Sequence, residues 1–525
     1  MNSISLLFTL TFLALSLAKP FGPYPDESHH ASQENVETPV AVNDPKHSDI
    51  EKNELKKITD NFPDKSPSEM VSIRNHLKKL TNMARRQLEE PVKSDVNLLS
   101  LQDPAKADAT KLTPHKNVPA IPHKPISEIN KNLSEYLHQG DIVTNEDHLE
   151  HKFESQRSKR NTINALNDSR LIWETDKPIP YTIDADISSD GIDAIHQALQ
   201  FWSDNTCLSF KENGSSAGTT LMRFINGGGC YSSVGKQYKS SSQTVSIGPG
   251  CVYFGVAAHE IGHALGMWHT QSRHDRDDFV TIESSNVRSD LMFNYVKESL
   301  DENFNHHVRY DYGSIMHYEP SSFAIDNTKP TLLSKDPGYQ HTMGQRVSPA
   351  FSDVWLINLQ HGCLDRCNSS NTKCQNGGYP DPHSCSRCKC PPSFTGALCD
   401  QRDPGDDPQN CGKTVNATSE YQNLNGSIGK DVWDSIPEMK CYFHINAPKD
   451  KKIKLKLNSI GNSCTTNCFF GATEIKVDDP RYYGYRFCCP EDANGKEYTS
   501  KTNRVVIAMR STFNKQQFAL DFKFV

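Results

Sequence analysis

The first 206 residues contain no cysteine; all 16 lie at or beyond Cys207. The N-terminal part therefore has no disulfide framework. The even set further on suits an exported chain that forms disulfides. Beyond the first eighteen residues there is no apolar run of the ~20 residues that a bilayer core requires, so no membrane span is expected. Strong charge of either sign is also missing. The balance of 57 Lys+Arg against 64 Asp+Glu leaves a formal −7 over 525 residues, which argues against a general nucleic-acid partner. At ~100–200 residues per domain, the length implies three or four units.

Residues 1–18 carry an apolar stretch from Leu6 to Ala18, with Ser16 and Ala18 at the positions a signal peptidase reads. A signal peptide is expected there, and with it a secreted, extracellular protein. Six Asn-x-Ser/Thr sites, Asn132, Asn167, Asn213, Asn368, Asn416 and Asn425, are open to glycosylation in that pathway. Residues 19–160 are polar and rich in Lys, Glu, Asp and Pro. Within them Met70, Ile73, Leu77, Leu80 and Met83 fall at helical spacing. The segment reads as a propeptide with one helix. It closes on Arg157-Ser158-Lys159-Arg160, the form cut by furin-like convertases, so the mature chain is expected to start at Asn161.

From Trp173 to Cys363 the character is globular. Ile179–Ile183, Leu221–Ile225 and Thr244–Ile247 read as strands. Ser188 or Ser189 caps a helix whose apolar face holds Ile192, Ile195, Leu199 and Trp202. A second helix is expected from about Val252 to Leu265. Six cysteines then crowd between Cys367 and Cys399, a segment too small to fold without its disulfides; spacing alone allows 15 connectivities. Cys374-Gln375-Asn376-Gly377-Gly378 and Cys388-x-Cys390 resemble an EGF-like module, and that resemblance implies pairs Cys367–Cys385, Cys374–Cys388 and Cys390–Cys399. After a Pro/Asp/Gly linker, alternating stretches such as Lys452–Leu457 and Val505–Ala508 suggest a β-sandwich. The Cys411–Cys441 spacing and the closing Phe518–Phe522 strand resemble a CUB domain. Cys464, Cys468, Cys488 and Cys489 would add two further bridges whose pairing the sequence leaves open.

The chemistry concentrates in His259-Glu260-Ile261-Gly262-His263-Ala264-Leu265-Gly266-Met267-Trp268-His269. Histidines four apart on a helix face the same way and can share one zinc. Gly266 can take the left-handed conformation that ends a helix, letting His269 approach from a third direction. Three protein ligands leave a coordination position open, as a catalytic zinc requires. With Ser314-Ile315-Met316-His317-Tyr318, the motif resembles the metzincin peptidases. Trp268, Ser272-Arg273, Asp275-Arg276-Asp277, Gly229–Gly235 and Gly344-Gln345-Arg346 narrow the resemblance to the astacin family.

That resemblance implies a multidomain protein: an α+β metzincin catalytic domain over 161–363, an EGF-like module over 364–400, a linker over 401–410 and an all-β CUB-like sandwich over 411–525. It implies zinc held by His259, His263 and His269. Glu260 would move the proton from water to the leaving amine, and Tyr318 would ligate zinc at rest, then swing to hydrogen-bond the oxyanion. Met316 would be a packing floor, and Cys207–Cys363 and Cys230–Cys251 the disulfides. Extracellular proteins or peptides are the implied substrates. The segment before Gly344, with Gln340 and His341, would line the pocket after the scissile bond; it holds no lysine there and makes no case for acidic specificity. The alternative is a catalytically inactive binding scaffold, which would be expected to have lost Glu260 or a ligand.

Two further positions stand out. Leu137-His138-Gln139-Gly140-Asp141 resembles the family's latency element, in which the aspartate ligates zinc, although His138 stands where the family carries an aromatic residue. After the third histidine the family commonly places a glutamate that receives the new N-terminal amine on activation; here the residue is Thr270. That device is expected to be absent.

Overall fold

In this computed structural model the described residues are 45–89, 124–157 and 169–525, apart from Ser216, Asp301, Trp433, Asn462, Ser463 and Asn494. The expected signal peptide, the basic site from Ser158 onward, Asn161 and Asn167 lie outside them. The chain divides into two units, Met1–Lys52 and Asn53–Val525. Only the opening turns of one helix are described in the first unit; all other described elements belong to the second.

The N-terminal region forms α1 (Pro45–Asn61), α2 (Pro67–Glu89), α3 (Ile126–Ile129) and α4 (Glu146–Arg157), more than the single helix its periodicity predicts. The expected stripe lies on α2, where Met70, Ile73, Leu77 and Leu80 are fully buried. Ile58 of α1 and Leu149 of α4 join the same apolar cluster as Leu291, Phe293 and Phe323, far along the chain. Tertiary packing, more than local pattern, stabilises these helices.

The next region contains β1 (Ile179–Ile183), α5 (Ser189–Asn205), β2 (Phe210–Glu212), β3 (Leu221–Ile225), β4 (Cys230–Ser232), β5 (Ser242–Ile247), α6 (Phe254–Ala264), β6 (Val280–Ile282), β7 (Leu332–Ser334) and α7 (Phe351–Gln360). Its main sheet runs β2-β1-β3-β5-β4, parallel except that β4 lies antiparallel to β5 at the edge. Ser188 caps α5, its Oγ accepting from the Gly191 N–H at 3.2 Å. Ile195, Leu199 and Trp202 of α5 are buried in the core with Val256, Ala257 and Ile261 of α6; Ile192 sits at its margin. Helix α6 is shorter at each end than the pattern suggests and is buried from Gly255 to Ala264. Disulfides Cys207–Cys363 and Cys230–Cys251 tie this region together.

A small segment follows with β8 (Tyr379–Asp381), β9 (Ser384–Lys389), β10 (Phe394–Thr395) and β11 (Gln401–Arg402). It is held by Cys367–Cys385, Cys374–Cys388 and Cys390–Cys399. The residues read as a linker are not a free tether: β11 pairs with β10, and Arg402 Nη1 donates to the Tyr442 carbonyl at 3.0 Å.

The rest is a sandwich of β12 (Thr414–Asn416), β13 (Gln422–Ile428), β14 (Ser435–Asn446), β15 (Ile453–Ile460), β16 (Gly471–Lys476), β17 (Tyr485–Phe487), β18 (Glu497–Thr499), β19 (Arg504–Phe513) and β20 (Gln516–Phe524). One sheet runs β12-β14-β19-β16-β17, the other β13-β20-β15-β18. On β15, Ile453, Leu455 and Leu457 point inward and Lys454 and Lys456 outward, the period-two alternation of a half-buried strand. They meet Ile445 and Ile507 of the facing sheet. The disulfides here are Cys411–Cys441, Cys464–Cys489 and Cys468–Cys488, which resolves the pairing left open by sequence.

Candidate metal centre

Helix α6 positions two of the three histidines. It is anchored from both sides: Trp202 Nε1 donates to the Ala258 carbonyl at 3.1 Å and Trp173 Nε1 to that of Ala264 at 2.7 Å. His259 and His263, one turn apart, put their ring centroids 4.7 Å from each other. The helix stops because Gly266 takes φ +109°, a conformation unfavourable to any residue with a Cβ. The chain reverses, and the ring of His269 comes within 4.7 Å of that of His263.

The outer nitrogen of each ring is already committed. Nδ1 of His259 bonds the Ile315 carbonyl at 2.8 Å, that of His263 the Met267 carbonyl at 2.7 Å, and that of His269 the Gln139 Oε1 at 3.0 Å. Since carbonyl oxygens only accept, each Nδ1 carries the proton and each Nε2 presents a lone pair. Burial holds His259 well below its ordinary range and His269 down to about 4, so both are neutral.

Asp141 enters this ring of lone pairs. Its Oδ2 lies 3.2 Å from Nε2 of both His259 and His269, and its Oδ1 lies 3.5 Å from Nε2 of His263. The segment that delivers it adds to the free edge of β4: Ser232 N–H donates to the Asp141 carbonyl at 3.0 Å, and Val143 N–H to that of Ser232 at 2.9 Å. Gln139 and Gly140 are both left-handed, at φ +50° and +83°. A Cβ on Gly140 would stand 2.6 Å from Cζ of Phe323, so a larger residue would both strain this left-handed backbone and displace that ring.

These four side chains form a group able to hold one metal ion. Asp141 Oδ1 and the Nε2 atoms of His263 and His269 are buried without a hydrogen-bond partner. Leaving such atoms unpaired in a protein interior is costly, and a cation at their centre would satisfy them together. Three imidazole nitrogens and a carboxylate oxygen are a donor set that suits zinc.

Glu260 is fully buried, and neither carboxylate oxygen has a hydrogen-bond partner. Burial first, then the Asp141 carboxylate, push its carboxyl well above the usual range. Met316 is buried, its Sδ 3.2 Å from where a Cβ on Gly262 would lie, so the two pack closely under α6. The Tyr318 ring lies 4.7 Å from that of His269, tilted by 59°, and its hydroxyl donates to the Gln139 carbonyl at 2.5 Å. The N-terminal segment thus engages this phenol through its backbone.

Three residues the motif reading passed over complete the arrangement. Gln139 bonds both His269 and Tyr318. Gln271 Oε1 accepts from the Tyr318 N–H at 2.9 Å. Asp353, on the first turn of α7, accepts from Ser314 Oγ at 2.6 Å and the Ile315 N–H at 2.8 Å, fixing the turn above Met316. Gln139 lies within the stretch that resembles the latency element, and Asp353 stands three places after Ala350, which precedes the first residue of α7.

Residues 165–362 match the family described as Astacin, a peptidase family. The chain is 35% identical over 412 residues to zinc metalloproteinase nas-28 of Caenorhabditis elegans, covering 77% of this chain and 82% of that protein. The chain belongs to the astacin family. Another relative, zinc metalloproteinase nas-27 of the same organism, is 32% identical over 411 residues, covering 75% of this chain and 91% of its own. Among solved structures, high choriolytic enzyme 1, a hatching-enzyme zinc protease of the medaka Oryzias latipes, shares 30% identity. It covers 37% of this chain and 96% of its own, with a TM-score of 0.34. This astacin-family chain is a zinc-dependent metalloendopeptidase.

Proposed function

We propose that the chain is the zymogen of a secreted endopeptidase that hydrolyses extracellular proteins and is activated by cleavage after Arg160. The observation that carries this reading is Asp141, seated among the Nε2 atoms of His259, His263 and His269 beside an unpaired Glu260. In this reading the three histidines hold zinc and Asp141 closes its remaining position until residues 19–160 leave. Bound there, zinc supplies a Lewis acid that activates water and polarises the scissile carbonyl. Glu260, its affinity for a proton raised by burial, takes a proton from the attacking water and delivers it to the leaving amine. Tyr318, released from the Gln139 carbonyl, turns its hydroxyl toward the oxyanion.

Eight disulfides among the described residues support an oxidising, extracellular setting. Asn132, Asn213, Asn368, Asn416 and Asn425 are exposed, as glycosylation requires. No helix among the described residues is long and apolar enough to cross a membrane. Residues 364–400 then serve as an EGF-like module and 411–525 as a CUB-like one. The test is a peptide-library digest by the purified chain cut after Arg160, with and without a zinc chelator, and with Glu260→Ala as control. Cleavage insensitive to chelator, or retained in Glu260→Ala, overturns the reading.

A further inference from the structure

The cleft beside the metal centre is not built from the peptidase region alone. Its volume is about 1330 Å³, and its walls include Phe323, Gly344 and Arg346 on one side and Thr465, Asn467 and Phe469 of the C-terminal sandwich on the other. The two sides are joined: Asn467 Nδ2 donates to the Gly344 carbonyl at 3.1 Å. Gly344, at φ +80°, packs so closely on Glu319 that a Cβ there would stand 2.5 Å from the Glu319 Cα. Glu319 follows Tyr318 directly, and Arg346 Nη1 donates to the His317 carbonyl at 3.0 Å. The sandwich loop therefore reaches the cleft within a few residues of the reacting groups.

This loop is rigid by construction. Asn467 and Cys468 are both left-handed, at φ +57° and +51°, a conformation that residues bearing a Cβ adopt reluctantly. Cys464–Cys489 and Cys468–Cys488 staple it on either side of Asn467 to an adjacent cysteine pair. That pair is fixed in turn by Asp492 Oδ2, which accepts from the N–H groups of Cys488 at 3.3 Å and Cys489 at 3.1 Å. The sandwich is also docked along the stretch leading to Gly344. Tyr485 hydroxyl donates to Asp336 at 2.8 Å, Tyr485 packs on Tyr339 at 4.7 Å, and Thr342 Oγ1 donates to the Gly484 carbonyl at 3.0 Å. A loop whose only task was to close the sandwich would need neither two staples nor a bond to the cleft turn.

Residues Lys124–Asn132 of the N-terminal region line the same space. In the zymogen reading their departure on activation would widen this space, whose wall at Glu319 is one residue from Tyr318.

We propose that the disulfide-clamped loop Cys464–Phe469 is a specificity-determining wall of the substrate groove. It meets an extended stretch of the substrate polypeptide several residues after the scissile bond. Asn467, whose Nδ2 is held by the Gly344 carbonyl, offers its Oδ1 to a main-chain N–H of the substrate, and Phe469 offers a ring to an apolar side chain. The consequence is a preference for long, extended segments with an apolar residue downstream of the cleavage point. This rests on the endopeptidase reading above and on the Gln340–Gly344 segment lining the side after the scissile bond.

The test uses the full chain activated by cleavage after Arg160, as wild type, Asn467→Gly and Phe469→Ala. Glycine keeps the left-handed backbone and removes the amide together with its bond to the Gly344 carbonyl; the truncated peptide reports any effect of losing that bond on the fold of the cleft. Each enzyme is given a ten-residue peptide series and the same cleavable core truncated to one residue after the scissile bond. The ratio of kcat/KM for long over truncated peptides is expected to fall about 3–10-fold in each variant, the size of one hydrogen bond or one partly buried ring. In Phe469→Ala the preference for an apolar downstream residue disappears as well. An unchanged ratio in both variants overturns the proposal. So does an equal loss on long and truncated peptides, since the loop would then act through the fold and not through the substrate. Chelator-sensitive cleavage of the truncated peptide by the wild type keeps the endopeptidase reading separate from this one.

Discussion

The ammonium of Lys152 lies 2.6 Å from Oε2 of Glu298, with only 4% and 0% of the two side chains exposed. The other oxygen, Oε1, receives Gln139 Nε2 at 2.5 Å and lies 3.0 Å from His138 Nε2. Three residues of the N-terminal segment thus converge on one buried carboxylate of the peptidase region. Burial by itself would lower the Lys152 ammonium, but Glu298 and Glu302 outweigh it and keep the group charged. The same burial raises Glu298 despite Lys152, because two carboxylates share one cation; the charged lysine is what makes the cluster tolerable. His138, which departs from the family pattern, is thereby explained as a member of this hub.

Lys152→Met would leave Glu298 buried without its cation, at a cost of about 3–5 kcal/mol. After cleavage following Arg160, the N-terminal segment is expected to leave the enzyme ~100-fold faster or more. Kinetic constants of the separated mature enzyme should match wild type, because Lys152 is no longer part of it. Equal dissociation rates for wild type and variant, measured by the onset of activity after the cut, would contradict a docking role.

Asp141→Ala removes the one carboxylate that stands among the three Nε2 atoms. The uncleaved chain should then hydrolyse a peptide at least about tenfold faster than uncleaved wild type, and a chelator should abolish the gain. The increase should stay below that of the mature enzyme, because the Gln139 carbonyl still holds the Tyr318 hydroxyl. A variant zymogen that stays silent would count against Asp141 as the latch.

Thr270 is buried, and its N–H donates to the Met316 carbonyl at 3.0 Å. The cavity beside it measures only about 30 Å³, room for a water or two. The carboxylates around it are already engaged: Asp311 accepts from Ser352 Oγ and Asp353 from Ser314 Oγ, each at 2.6 Å. No acid stands at position 270 to receive a chain-terminal amine. Mature enzymes starting one residue before or after Asn161 should therefore keep activity within about twofold. A tenfold loss on either change would show that the N-terminus is seated after all.

What could be read from the chain in advance was what depends on near neighbours. The four-residue spacing of His259 and His263 puts both on one face of any helix, and Gly266 ends that helix wherever it is packed. Alternation in Lys452–Leu457 identifies a strand with one wet face for the same local reason. The single stripe of Met70, Ile73, Leu77 and Leu80 exposed α2 but not α1 or α4, whose few apolar residues, such as Ile58 and Leu149, are buried only by packing on α2 and on the peptidase region. Gln139 stood in the latency-like stretch without a role, because nothing within ten positions reveals that His269 and Tyr318 will be its partners.

The ligand types, their spacing on α6, the break at Gly266 and an aspartate after a glycine at 141 are all written in the order of residues. These are properties of covalent order and helix period. Long-range packing brings Asp141 to all three Nε2 atoms, buries Lys152 against Glu298, and sets Asn467 of the far sandwich on the Gly344 turn. Those contacts join segments 118 to 146 residues apart. Burying these polar groups is costly, and the pairing that offsets the cost is available only in a space that exists when every layer is in place.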